Sequence, residues 1–197
     1  MNLANKITTV RMLLSIIIIV ILLFPFYEVG LDVKTFLVNG NIVVDIRYII
    51  AGVLFIIASL TDFLDGYVAR KYNMVTDYGK MMDAICDKLL VNSVLIILAC
   101  NGMISPVIAV IIVIRDIVVD SVKMIIGNKG KVVAAIPIAK VKTALLMVGI
   151  VLTMFYNLPF ELFNFNLSDL LLVIATVLAV ISGIKYYGMG KSCLDRK

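Results

Sequence analysis

Histidine is absent from this 197-residue chain. Its three cysteines, Cys86, Cys100 and Cys193, have neither metal-ligand nor redox spacing, so they read as small buried-type residues. No Ser/Gly/Pro-rich linker divides the chain, and no repeat or low-complexity tail is visible. Residues 1–197 therefore read as one domain. The first apolar run ends in PFYEVG, with no small-residue cleavage site, so it reads as a retained span and not a cleaved signal. Charged residues make up only 16% of the chain.

Apolar residues, in contrast, make up 62%, and the mean hydropathy is +1.11. Both values lie well beyond an ordinary soluble domain. Apolar runs approaching twenty residues recur, and such runs cross a bilayer as helices. They are too long for barrel strands and do not alternate, so the class is all-α, a polytopic helical membrane protein. Residues 1–11 read as a short interfacial segment before the first span. Six spans are expected at about 12–27, 47–61, 84–99, 105–126, 141–156 and 170–187. A polar stretch with Glu28, Asp32, Lys34 and Asn41 separates the first two. Asn101-Gly102 ends the third, and Ser105-Pro106 opens the fourth with a capping serine and a proline.

Six spans place both termini on one side. Every lysine and arginine except Lys34 and Arg47 then shares that side, sixteen against two, and the positive-inside rule makes it cytoplasmic. The net charge of +5 suits a surface facing anionic membrane lipids, and it calls for no nucleic acid.

Against this apolar background stands DFLDGYVARKYNMVTDYGKMMDAICD, residues 62–87. Asp62 and Asp65 are three apart and Asp83 and Asp87 four apart, so each pair shares a helix face. Two neighbouring helices could bring all four carboxylates together. Four carboxylates at membrane depth repel strongly unless a cation sits among them. Oxygen-only ligands without histidine argue for Mg²⁺ or Mn²⁺ and against zinc. Four carboxylates can hold two ions, the arrangement used to handle phosphate oxygens. A single aspartate at a span end is usually a solvated cap; four at this spacing point to function. Gly66 and Gly79 allow close backbone approach, for a ligand or for another helix. Arg70 could grip a phosphate or mark the cytoplasmic side.

The pattern from Asp65, D-G-x₂-A-R-x₈-G-x₃-D-x₃-D, resembles the signature of the CDP-alcohol phosphatidyltransferases. Asp65, Gly66, Ala69, Arg70, Gly79, Asp83 and Asp87 match it in full, with Asp62 also in place. The resemblance implies six spans over nearly the whole chain and an amphipathic segment before the first. It implies attack of an alcohol hydroxyl on the lipid-side phosphorus of a CDP-linked lipid, with release of CMP. It also assigns Asp62, Asp65 and Asp83 to one divalent ion and Asp62, Asp83 and Asp87 to the other. Asp87 becomes the general base, with Asp83 beside it in catalysis, and the cytidine end lies near Gly66, Ala69, Arg70 and Gly79.

Two further patterns resemble the bacterial phosphatidylglycerophosphate-forming members. One is N-K-I-T-x₂-R, with Asn5, Thr8 and Arg11 near the CDP-lipid head. The other is K-V-K-T, with Lys140 and Lys142 before Thr143. With Arg115 and Lys123 these lysines would hold the phosphate of glycerol 3-phosphate, a substrate that suits a cationic pocket as choline or ethanolamine does not. The bland reading of the same residues is positive-inside anchoring. RDIVVDSVK departs from the related fourth-span segment. Asp116 stands where glutamate is usual, Lys123 where arginine is usual, and Asp120 adds a negative charge. The expected donor is CDP-diacylglycerol and the expected assembly a homodimer in the bacterial cell membrane. Phosphatidylglycerol (in cardiolipin synthesis) and inositol phosphate stay open as acceptors. A divalent-cation transporter is the alternative of another class, although no inverted repeat and no midplane acidic set supports it.

Overall fold

The computed structural model describes residues 3–26, 28–30, 33–38, 42–71, 77–128 and 136–195. Within its helices the side chains at 3–6, 63–71, 77–78, 80, 128 and 193–195 lie outside the description. The apolar runs become helices: α1 (Leu3–Leu23), α2 (Ile46–Lys71), α3 (Asp77–Cys100), α4 (Pro106–Asn128), α5 (Pro137–Met154) and α6 (Leu167–Asp195). Pro106 and Pro137 stand at the first positions of α4 and α5, where the missing proline N–H would have had no partner anyway.

The ends of α3 and α5 show how the chain stops. After α3, Met103 N–H donates to the Leu98 carbonyl at 2.9 Å and Gly102 N–H to the Ala99 carbonyl at 3.1 Å. This paired closure needs a left-handed residue, and Gly102 supplies it at φ +71°. After α5 the same closure puts Tyr156 at φ 55° and Asn157 at φ 54°, a conformation that costs a residue with a side chain. Side-chain bonds offset the cost. Asn157 donates to the Phe165 carbonyl at 2.8 Å and accepts from Ser168 N–H at 3.1 Å. Tyr156 hydroxyl accepts from Asp45 N–H at 3.0 Å.

Asp45 ends a short antiparallel hairpin, β1 (Thr35–Val38) and β2 (Ile42–Asp45), in register Thr35 to Asp45. The hairpin lies in the stretch expected only to be polar. Arg47 caps it with a bond to the Asp45 carboxylate at 2.6 Å.

α1 packs along α2 and α3, α5 along α6, and α6 along α4. Phe55, Leu95, Leu98, Ile112, Leu146, Ile150 and Leu172 are fully buried between them. Gly149 and Gly52 are among the glycines that permit close approach: a Cβ on Gly149 would lie 2.9 Å from Leu172, and one on Gly52 2.7 Å from the Phe155 ring. The outward faces are apolar too, with Leu13, Ile17 and Val20 on α1, Val107, Val110 and Ile114 on α4, and Val173, Val177 and Ile184 on α6 exposed. Helices that are apolar all round belong to a lipid environment, and the protein is membrane-associated.

Several boundaries differ from expectation. α1 runs unbroken from Leu3 to Leu23, so the segment read as a separate interfacial approach is the first half of the same helix. Its polar side chains Thr8, Arg11 and Ser15 are buried in the protein. Among the described residues, two helices are long and apolar enough to cross a membrane on that criterion alone, α5 over Pro137–Met154 and α6 over Leu167–Ser192. Charged residues dilute α3, through Asp83, Asp87 and Lys88, and α4, through Arg115, Asp116, Asp120 and Lys123, and the described part of α1, Ile7–Leu23, is a shorter apolar helix.

Candidate active site

The site begins with a stripe on α1. Thr8, Arg11, Ser15, Ile18 and Leu22 are all buried and recur at steps of three and four, which places them on one helix face. The stripe is apolar at its end and polar at its start. The polar half meets α2 and α3. Arg11 Nη1 donates to Asp62 Oδ1 and, at 2.9 Å, to Asp83 Oδ1. The Arg11 side chain is 1% exposed, and one guanidinium nitrogen thus ties three helices together. Cys86, on the turn of α3 between Asp83 and Asp87, packs against this stripe with its sulfur 3.7 Å from the Thr8 carbonyl.

A second cluster joins α4, α5 and α6. Arg115 donates to Asp116 Oδ1 at 2.9 Å, to Ser182 Oγ at 2.7 Å and to the Ala179 carbonyl at 3.3 Å. Lys142, itself buried, donates to the same Asp116 carboxylate at 3.1 Å. Tyr186 is buried under this cluster. Its hydroxyl accepts from Ile136 N–H at 3.1 Å, and Lys123 Nζ sits 5.2 Å from its ring centroid. Buried cations need such partners, because an uncompensated charge away from water is costly. Lys88 pairs with Asp120, so the extra negative charge noted on α4 is matched from α3.

The two clusters face one cavity of about 680 Å³. Asp62 and Asp87 line it, together with Arg115, Lys123, Lys140 and Lys142. Its volume is that of a small-molecule site, and it sets carboxylates near anion-binding cations. Such a space can hold a phosphorylated substrate with a proton acceptor at hand.

Asp62, Asp87, Arg115, Lys123, Lys140 and Lys142 share the cavity, and Asp83 joins through Arg11. Thr8 and Arg11 lie buried on α1, and Gly79 in the first turn of α3. Asp65, Gly66, Ala69 and Arg70 belong to the last turns of α2 and Asn5 to the first turn of α1; their side chains lie outside the described residues. Among the described residues no group of three or more His, Cys, Asp or Glu stands at metal-holding distance. The donor set still suits a hard cation: Asp62 and Asp83 place one oxygen each on the same positive nitrogen. Sequence reasoning missed Lys88, Ser182 and Tyr186. Ser182 and Tyr186 are four apart on α6, a spacing that marks one face but not what it meets.

Comparison with known proteins follows the same lines. The family description CDP-alcohol phosphatidyltransferase matches residues 1–182. The chain is 38% identical to a CDP-diacylglycerol--glycerol-3-phosphate 3-phosphatidyltransferase of Bacillus subtilis, over 94% of this chain and 93% of that protein. It is 33% identical to the protein of the same name in Rickettsia bellii, over 82% and 86%. In Rickettsia felis the figures are 31%, over 98% and 95%.

Proposed function

The chain belongs to the CDP-alcohol phosphatidyltransferase family, and on that premise we infer that it transfers the phosphatidyl group of CDP-diacylglycerol to glycerol 3-phosphate, giving phosphatidylglycerophosphate and CMP. The observation that carries this reading is one cavity lined by both carboxylates and cations. Asp87 and Asp62 line it together with the cations Arg115, Lys140 and Lys142, so a phosphorylated alcohol held by the cations can present its hydroxyl to a carboxylate.

In the reaction Asp87 takes the proton of a glycerol hydroxyl. That oxygen forms a bond to the lipid-side phosphorus, and the phosphorus–oxygen bond to CMP breaks, its electrons leaving with CMP. Arg115, Lys123, Lys140 and Lys142 hold the acceptor phosphate, the guanidinium through two donors and the ammonium groups as point charges. Asn5, Thr8, Arg11, Gly66, Ala69, Arg70 and Gly79 form the CDP-lipid side. Two ions of Mg²⁺ or Mn²⁺, when bound, neutralise the pyrophosphate and stabilise the leaving CMP. Asp62, Asp65 and Asp83 would hold one and Asp62, Asp83 and Asp87 the other. Family membership and the oxygen-only donors support this assignment.

All six helices are read as spans of a bacterial cell-membrane protein, with both termini and the cavity on the cytoplasmic side and the protein a homodimer. The strong bias of lysine and arginine to one side supports the orientation. At that depth the lipid headgroup meets water-soluble glycerol 3-phosphate.

The test is CMP release by purified protein in detergent, with CDP-diacylglycerol, Mg²⁺ or Mn²⁺ and one acceptor at a time. Release that depends on glycerol 3-phosphate is the expected result. Release only with inositol phosphate or phosphatidylglycerol would keep the chemistry and overturn the acceptor. No release with any acceptor, from folded protein, would overturn the reading.

A further inference from the structure

Among the described residues, Asp116 is the acidic group that touches two of the cations lining the cavity, and it comes from neither acidic pair of the signature. Its carboxylate accepts from Arg115 Nη1 at 2.9 Å and from Lys142 Nζ at 3.1 and 3.5 Å. Arg115 is in turn fixed to α6 through Ser182 Oγ and the Ala179 carbonyl. One carboxylate on α4 thus locks a lysine of α5 to an arginine whose plane is set by α6. Lys142 is 3% exposed, and its ammonium needs a counter-charge at that depth. An ammonium has three N–H groups, and the two Asp116 oxygens take at most two, so one remains for a ligand oxygen. A guanidinium has five, and three are spent on Asp116, Ser182 and Ala179. Asp116 itself lines the cavity, where a negative charge would by itself repel a phosphate. Its presence between the two cations is understandable if it orients them, which outweighs a repulsion that the pair already neutralises.

We propose that Asp116 is a positioning residue for the acceptor: it clamps Lys142 against Arg115 so that both cations present their remaining N–H groups to one phosphate in the cavity. The inference rests on the phosphorylated-acceptor reading above. It names a residue that touches neither the phosphate nor the reacting atoms and acts through Lys142.

The test is a double-mutant cycle of Asp116→Asn and Lys142→Met in the full chain, purified in detergent. It is read as KM for glycerol 3-phosphate, KM for CDP-diacylglycerol and, by calorimetry, Kd for inorganic phosphate. Asp116→Asn should raise KM for glycerol 3-phosphate about tenfold and weaken phosphate binding alike, with KM for CDP-diacylglycerol changed less than about twofold. In the Lys142→Met background, Asp116→Asn should add less than about a twofold change, because the clamped partner is already gone. Multiplying effects, or equal rises in both KM values, would overturn the clamp. Should Asp116→Asn not fold, Asp116→Ser takes its place in both backgrounds, so that all four corners of the cycle are still measured. Wild-type protein that binds phosphate but uses another phosphorylated acceptor would correct the acceptor alone, and the phosphate cycle would still decide the clamp.

Discussion

Arg11→Met is the sharpest perturbation of the acidic end. Methionine keeps much of the buried volume and removes the charge. Arg11 makes charge-assisted bonds to Asp62 and Asp83, and a bond to a charged group contributes about 1.5–3 kcal/mol. The two carboxylates are 36% and 51% exposed, so water resolvates them when the arginine is gone, and the lower end of that range applies to each. The loss is then about 2–3 kcal/mol in total. For a chain of this size that is a fall of about 4–12 °C in melting temperature. The variant and wild type would be melted in detergent, first in EDTA and then in Mn²⁺. In EDTA the variant should melt lower by that amount. Saturating metal contributes about 2.7 kcal/mol at a hundredfold excess over Kd. The gain should be larger in the variant, whose aspartates need not first release a guanidinium. An unchanged melting point in EDTA, or a smaller metal-induced rise in the variant, would refute the role of Arg11 as the internal cation of this cluster.

Other outcomes can be stated briefly. Asp83→Asn removes a carboxylate assigned to both ions and should abolish CMP release; folded, purified variant that retains even about a tenth of wild-type turnover contradicts the two-ion assignment. Gly149→Ala puts a Cβ 2.9 Å from Leu172 and should destabilise α5 against α6 by about 1–3 kcal/mol, read as a lower melting temperature with the KM values unchanged. Asn101→Cys, at the exposed turn after α3, should react in intact spheroplasts of a cysteine-free variant with a membrane-impermeant maleimide; labelling only after permeabilisation would reverse the proposed orientation.

The helices and their number were legible in the sequence because apolar runs of this length have one economical solution in lipid, where every backbone group must bond within its own segment. Gly102 and Pro106 marked boundaries for local steric reasons that need no tertiary partner. The hairpin from Thr35 to Asp45 was not legible. Its strands are four residues each, and they are held from afar by Tyr156 and locally by Arg47. The continuity of α1 was likewise hidden, since a mixed segment reads as interfacial until its polar stripe is given acidic partners on α2 and α3.

The chemistry divides in the same way. Spacing alone determined that Asp62 pairs with Asp65 and Asp83 with Asp87, because a helix repeats every 3.6 residues whatever surrounds it. Oxygen donors on the second and third helices and cations on the fourth and fifth were equally plain from the order of residues. Only the tertiary structure decided that Arg11 lies between Asp62 and Asp83, that Asp120 answers Lys88, and that Asp116 joins Arg115 to Lys142. Such contacts depend on how helices rotate and cross, which is set by packing summed over the whole core and not by any local stretch.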